Sequence, residues 1–138
     1  MSKKFLKNFF ISSSILLLAC VFFVVFFDPF FQYHKPLKGL KEVLTDKEYQ
    51  CVGSLKTFDY DSVVAGSSVA ENYYNDWFNI GFDCKVIKAI RSYGATADLC
   101  FLLDIAFERQ NLKYVFYNLD PSALVADTET TYALTGCP

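Results

Sequence analysis

The sequence predicts an α/β protein: an N-terminal transmembrane helix followed by a partial three-layer domain, helix on sheet on helix, with a mainly parallel sheet. Three observations carry that expectation. Phe9 to Phe27 is nineteen residues without a charge, dominated by Phe, Leu, Val and Ile. Beyond Asp61, strand and helix patterns alternate. The triplet Gly66-Ser67-Ser68 stands between the apolar run Ser62-Val63-Val64-Ala65 and Val69-Ala70-Glu71-Asn72, where a buried strand hands over to a helix.

At about 1.5 Å per residue the apolar run reaches roughly 28 Å, close to a bilayer's hydrocarbon thickness of about 30 Å. Asp28 and Pro29 close it, and Lys3, Lys4 and Lys7 precede it. The positive-inside rule makes residues 1–8 a cytoplasmic basic N-terminus and 9–27 a single pass through the cell membrane, with everything after Asp28 extracellular. A cleaved secretory signal shares the basic start. Its apolar core usually occupies about 7–15 residues and ends at small side chains, whereas Val24, Phe26 and Phe27 carry this block onward, so an uncleaved signal-anchor is expected. Leu17-Leu18-Ala19-Cys20 has the form of a lipoprotein processing box. Cleavage there would leave Val21-Phe22-Phe23-Val24-Val25 as a membrane-apolar N-terminus instead of a polar tether.

The hydrophobic fraction of 53% is inflated by this span, and about 110 residues remain outside it, within the range of one domain. A net charge of −2, with no lysine or arginine cluster past Lys41, argues against a nucleic-acid partner. The cysteines at 20, 51, 84, 100 and 137 form no Cys-x-x-Cys pair, and His34 is the only histidine. Neither a metal site nor a cofactor is expected. An external location permits disulfides, but Cys84 in a strand pattern and Cys100 on an apolar helix face read as buried small hydrophobes.

Residues 28–60 contain Pro29, Pro36, Gly39 and Gly53, carry no sustained periodicity and read as an extracytoplasmic stalk. Residues 61–138 read as an incomplete α/β domain. Ser62 to Ala65 is a short buried strand, and Val69 to Phe78 a helix with Glu71 in its first turn, where the dipole favours an acid. Cys84 to Ile90 is β-branched enough for a second strand, ended by Gly94. Thr96 then caps a helix whose Leu99, Leu102, Leu103, Ala106 and Phe107 make an inward stripe. Tyr114 to Leu119 is a third strand, and Asp120-Pro121 turns the chain.

Strand, helix, strand, helix, strand at this spacing favours parallel pairing with right-handed crossovers. Ligands of such sheets bind past the carboxyl ends of the strands, so Ser68, Gly94 and Asn118 or Asp120 converge from three segments on one crevice. A serine on a strand-to-helix turn, among free backbone N–H groups, suits esterase or acyl-transfer chemistry. Each residue also has a plainer reading. Ser68 serves as an N-cap, Asn72 and Glu71 occupy a solvated first helical turn, and Asp120 forms a turn before Pro121. His34, beside the span in Tyr33-His34-Lys35-Pro36, reads as an interfacial anchor and not as a catalytic base.

Asp61 to Asn72, followed by Ser92-Tyr93-Gly94-Ala95 and Tyr117-Asn118-Leu119-Asp120, resembles the first three sequence blocks of the SGNH/GDSL hydrolase superfamily. The segment Phe27-Asp28-Pro29-Phe30-Phe31-Gln32-Tyr33-His34-Lys35-Pro36-Leu37 is similar to membrane-anchored members in Gram-positive bacteria. The resemblance implies a flavodoxin-like sheet, Ser68 as nucleophile, and oxyanion donors from the Ser68 and Gly94 N–H groups. Ser67, Asn72, Asn118 and Asp120 would line the site. It further implies action on O-acyl groups of an envelope polysaccharide or teichoic acid, beside a membrane acyl-transfer partner.

The chain departs from the family pattern in three places. Ser67 fills the middle of the usual Gly-Asp-Ser, Leu119 stands where the third block carries its asparagine, and no Asp-x-x-His follows before Pro138. A serine at its free pKa is a poor nucleophile without a base. The expectation is therefore a truncated product, inactive alone, with a sheet edge left exposed. A non-catalytic anchored module that binds a glycan or a partner is the alternative.

Overall fold

A computed structural model describes residues 3–38, 47–92, 96–119 and 121. Helix α1 (Lys3–Phe27) carries three lysines in its first turns and no charge from Asn8 to its end, with no residue buried against the rest of the protein. It is long and apolar enough to cross a membrane. Five further elements and two short helices follow: α2 (Lys47–Thr57), β1 (Ser62–Gly66), α3 (Ser68–Glu71), α4 (Asn75–Phe82), β2 (Val86–Ile90), α5 (Thr96–Arg109) and β3 (Tyr114–Tyr117).

The three strands form one parallel sheet in the order β2-β1-β3, with Val63 opposite Ile87 on one side and Val115 on the other. Every residue of the central strand is buried. Because side chains alternate across a strand, β1 feeds two cores. Val63 and Ala65 join Cys51, Val52 and Leu55 of α2 and Leu102, Ile105 and Ala106 of α5 on one face. Val64 packs on the other with Ala70 of α3, Val86 and Ile90, against which Tyr73, Phe78 and Phe116 lean. The layers are α2 and α5, the sheet, and α3 with α4.

Several expectations are corrected. The segment read as a stalk supplies α2, whose Leu55 is fully buried, so the domain begins well before residue 61. The helix expected from Val69 to Phe78 is two helices. Asn72 ends α3, its N–H reaching Val69 O and Ala70 O, and Tyr74 is extended (φ −80, ψ 132) before α4 begins. α4 has no side-chain N-cap and is closed by Asp83 in the left-handed region (φ 48). Aromatic packing holds it, with the rings of Phe78 and Phe82 each 4.8 Å from that of Phe116.

On α5 the inward stripe is Asp98, Leu99, Leu102, Ile105 and Ala106, while Phe107 faces out. Cys84 precedes β2 instead of lying in it and is partly exposed. Cys100 is exposed, and only Cys51 of these thiols is a buried hydrophobe. β3 is an edge strand whose Tyr114, Val115 and Tyr117 stay partly exposed.

The turn after α1 is docked on the domain. Asp28 (φ 40) reverses the chain, and its buried carboxylate accepts the N–H groups of Gln32 at 2.9 Å, Tyr33 at 2.7 Å and His34 at 2.9 Å. Gln50 of α2 donates to Pro29 O at 2.8 Å, and the rings of Phe31 and Phe58 meet at 5.1 Å. A Cβ on Gly53 would lie 2.0 Å from Phe30 O, so only glycine lets α2 approach the turn this closely.

Candidate active site

β1 delivers Gly66 to its carboxyl end, and β3 delivers Asn118 beside it. The Asn118 N–H donates to Ala65 O at 2.8 Å, one step past the last paired residues, Ala65 and Tyr117. A Cβ added to Gly66 would lie 2.8 Å from the Ala70 Cβ and 2.9 Å from the Asn118 Cβ. Glycine is thus what allows α3 and the end of β3 to close on the turn.

Two roles are divided between adjacent serines. Ser67 is the N-cap of α3, extended at φ −83, ψ −166, buried, with its hydroxyl oxygen accepting the Val69 N–H at 3.4 Å. Ser68 is the first residue of α3 and is exposed. As a first helical residue, its N–H has no acceptor within the helix. The capping role therefore belongs to Ser67, and Ser68 is exposed at the start of α3.

Asn72 is exposed, its side-chain amide donating to Ser68 O at 3.3 Å, which ties it to the peptide of Ser68. Asn118 is half-buried, and its Oδ1 accepts the Tyr73 hydroxyl at 2.7 Å. Leu119, by contrast, is 67% exposed, so Asn118 is the side chain that β3 brings to the turn. Gly94 and Asp120 lie outside the described residues. The structure brings Asn72 to Ser68 and sets Ser67 as the cap of the same short helix, while Asn118 meets Gly66 and Tyr73. Tyr73 went unread in the sequence, although its place just after the first turn's asparagine was a usable signal.

His34 is held elsewhere. Its Nδ1 lies 2.8 Å from Lys35 O and its Nε2 3.3 Å from Val25 O, in the last turn of α1. The Lys35 carbonyl chiefly raises its pKa from the ordinary value, with smaller help from Val25 O and the Asp28 charge. Among the described residues no cluster of three His, Cys, Asp or Glu side chains could hold a metal ion.

A cavity of about 650 Å³ lies away from Ser68, beside the edge strand β2. Tyr73 lines it and also donates its hydroxyl to Asn118 Oδ1. Compared with protein-family models, with curated proteins and with solved structures, the chain matches none.

Proposed function

We propose that the chain is a single-pass, membrane-anchored extracytoplasmic protein of the SGNH/GDSL esterase or O-acyltransferase type, with a flavodoxin-like sheet. Ser68 is its nucleophile. The supporting observation is the junction at Gly66, where Ala70 of α3 and Asn118 after β3 close on the carboxyl end of β1 and the exposed Ser68 begins α3 two residues further on. Sites in such sheets lie at that edge, where the strand order reverses direction.

In this reading Ser68 Oγ attacks the acyl carbon of an envelope polysaccharide or teichoic acid ester. The Oγ–C bond forms, the ester C–O bond breaks, and the acyl group passes to water or to an acceptor hydroxyl supplied with a membrane acyl-transfer partner. The Ser68 and Gly94 N–H groups hold the oxyanion, each such donor being worth a few kcal/mol. The Oγ proton needs a base. Residues 61–138 contain no histidine, and His34 is engaged at the end of α1, so the base comes from outside this set.

The absence of a histidine from residues 61–138 also favours a second reading, a non-catalytic anchored module that binds a glycan or a partner. Fluorophosphonate labelling separates the two. An adduct on Ser68 in native membranes supports the enzyme, and an unmodified Ser68 in folded protein supports the module.

A further inference from the structure

We infer that the cavity beside β2 binds the phosphate head group of an anionic membrane lipid. The inference rests on the reading of α1 as a membrane span. The turn around Asp28 folds the chain back, so that the His34 ring touches Val25 O in the last turn of α1. Lys35 and Pro36, the next residues, form one rim of the cavity, which therefore opens at the level where α1 would leave the bilayer.

The lining fits an anionic amphiphile. Lys35 comes from the turn after α1, Lys85 immediately precedes β2 and Lys88 lies in the middle of that strand, against one acid, Asp59. Asp59 is paired with Lys35, and that lysine holds its carboxyl below the usual range. Lys88 lines the cavity, and its ammonium donates to Glu71 O. The rings of Tyr73, Tyr74 and Phe58 supply apolar wall, in a chain whose net charge is negative. Lysines with aromatic rings at a membrane boundary attract anionic head groups.

An added β-strand is the wrong occupant for this edge. The Val86 N–H is taken by Asn79 Oδ1 at 2.9 Å, and Lys88 O receives the Cys51 thiol at 3.6 Å. With these groups on the outer side of β2 already occupied, side chains and not main chain meet the ligand.

Trp77 is the only tryptophan, and its ring lies 5.1 Å from that of Tyr74, so its emission reports on the cavity. The full chain is placed in nanodiscs of phosphatidylcholine, alone or mixed with phosphatidylglycerol, and compared with Lys85→Gln, an exposed position whose change leaves far-UV circular dichroism intact. The expected result is an emission shift with phosphatidylglycerol that is lost in Lys85→Gln and persists in added inorganic phosphate. An equal shift in the variant, or none in the wild type, overturns the inference. Suppression by inorganic phosphate overturns the lipid as ligand and makes the site one for free phosphate. Alkaline carbonate extraction, run in parallel, tests the span separately, because release of the chain from membranes defeats that reading whatever the emission shows.

Discussion

The Tyr73 hydroxyl donates to Asn118 Oδ1 at 2.7 Å, joining the α3–α4 linker to the end of β3 across the carboxyl end of β1. This bond and the close approach of Asn118 to Gly66 fix the end of β3 against the turn that leads to Ser68. Tyr73→Phe removes only the hydroxyl. It is expected to cost about 0.5–1.5 kcal/mol in urea denaturation, with the Asn118 side-chain amide resonances shifted in NMR spectra.

Gly66→Ala places a methyl against Ala70 and Asn118, on two sides that belong to different elements. Overpacking of this kind costs about 1–3 kcal/mol. A variant as stable as the wild type would mean that α3 and β3 do not close on the turn.

Leu55→Ala tests whether α2 belongs to the domain. Leu55 and Leu102 are both fully buried in the same core, so both alanine variants are expected to lose about 2–5 kcal/mol. A change within about 0.5 kcal/mol for Leu55→Ala, the level of an exposed site, would return residues 47–57 to a stalk.

Asp28→Ala leaves three backbone N–H groups without their carboxylate. Amide hydrogen exchange at Gln32, Tyr33 and His34 is expected to accelerate together, while exchange in β1 stays slow. Unchanged exchange at the three amides would show that the turn is held by Gln50 and Phe31 alone.

Burial pushes the Cys51 thiol up to about 11 and, chiefly by the same cause, the Tyr60 hydroxyl up to about 12. Both groups keep their protons longer in the folded chain than in the unfolded one. From about pH 9, where an ordinary thiol ionises, the folded state binds more protons, and stability falls as pH rises toward the shifted values. Iodoacetamide at pH 8 should modify the exposed Cys100 well before Cys51. Equal rates would contradict the burial of α2.

What the sequence made legible is the part held by simple periodicity. The run Ser62-Val63-Val64-Ala65 reads as a buried strand because it is apolar on both faces, and β1 packs on both. α2 escaped notice because its inward face carries Gln50, Gly53 and Ser54 between Cys51, Val52 and Leu55. Gly53 allows close contact with the turn after α1, Gln50 donates to Pro29 O in that turn and Ser54 to Cys51 O within α2, and together they erase the apolar period. The break between α3 and α4 hides in Asn72-Tyr73-Tyr74, residues that fit a helix pattern until Asn72 bonds back to Ser68 O. On α5, apolar residues crowd several sides, so Phe107 and Ile105 compete for the core and spacing alone does not choose between them. In the candidate site, the Gly-Ser-Ser turn was readable, but the division of cap and rim between Ser67 and Ser68 depends on backbone angles that residue types do not encode.

The most direct test of the central proposal is fluorophosphonate labelling of native membranes, followed by mass spectrometry of the tryptic peptide from Thr57 to Lys85, which holds Ser62, Ser67 and Ser68. The predicted result is an adduct on Ser68, lost in Ser68→Ala and retained in Ser67→Ala. Recovery of the peptide unmodified, from membranes whose other serine hydrolases are labelled, would contradict the assignment of Ser68 as a nucleophile.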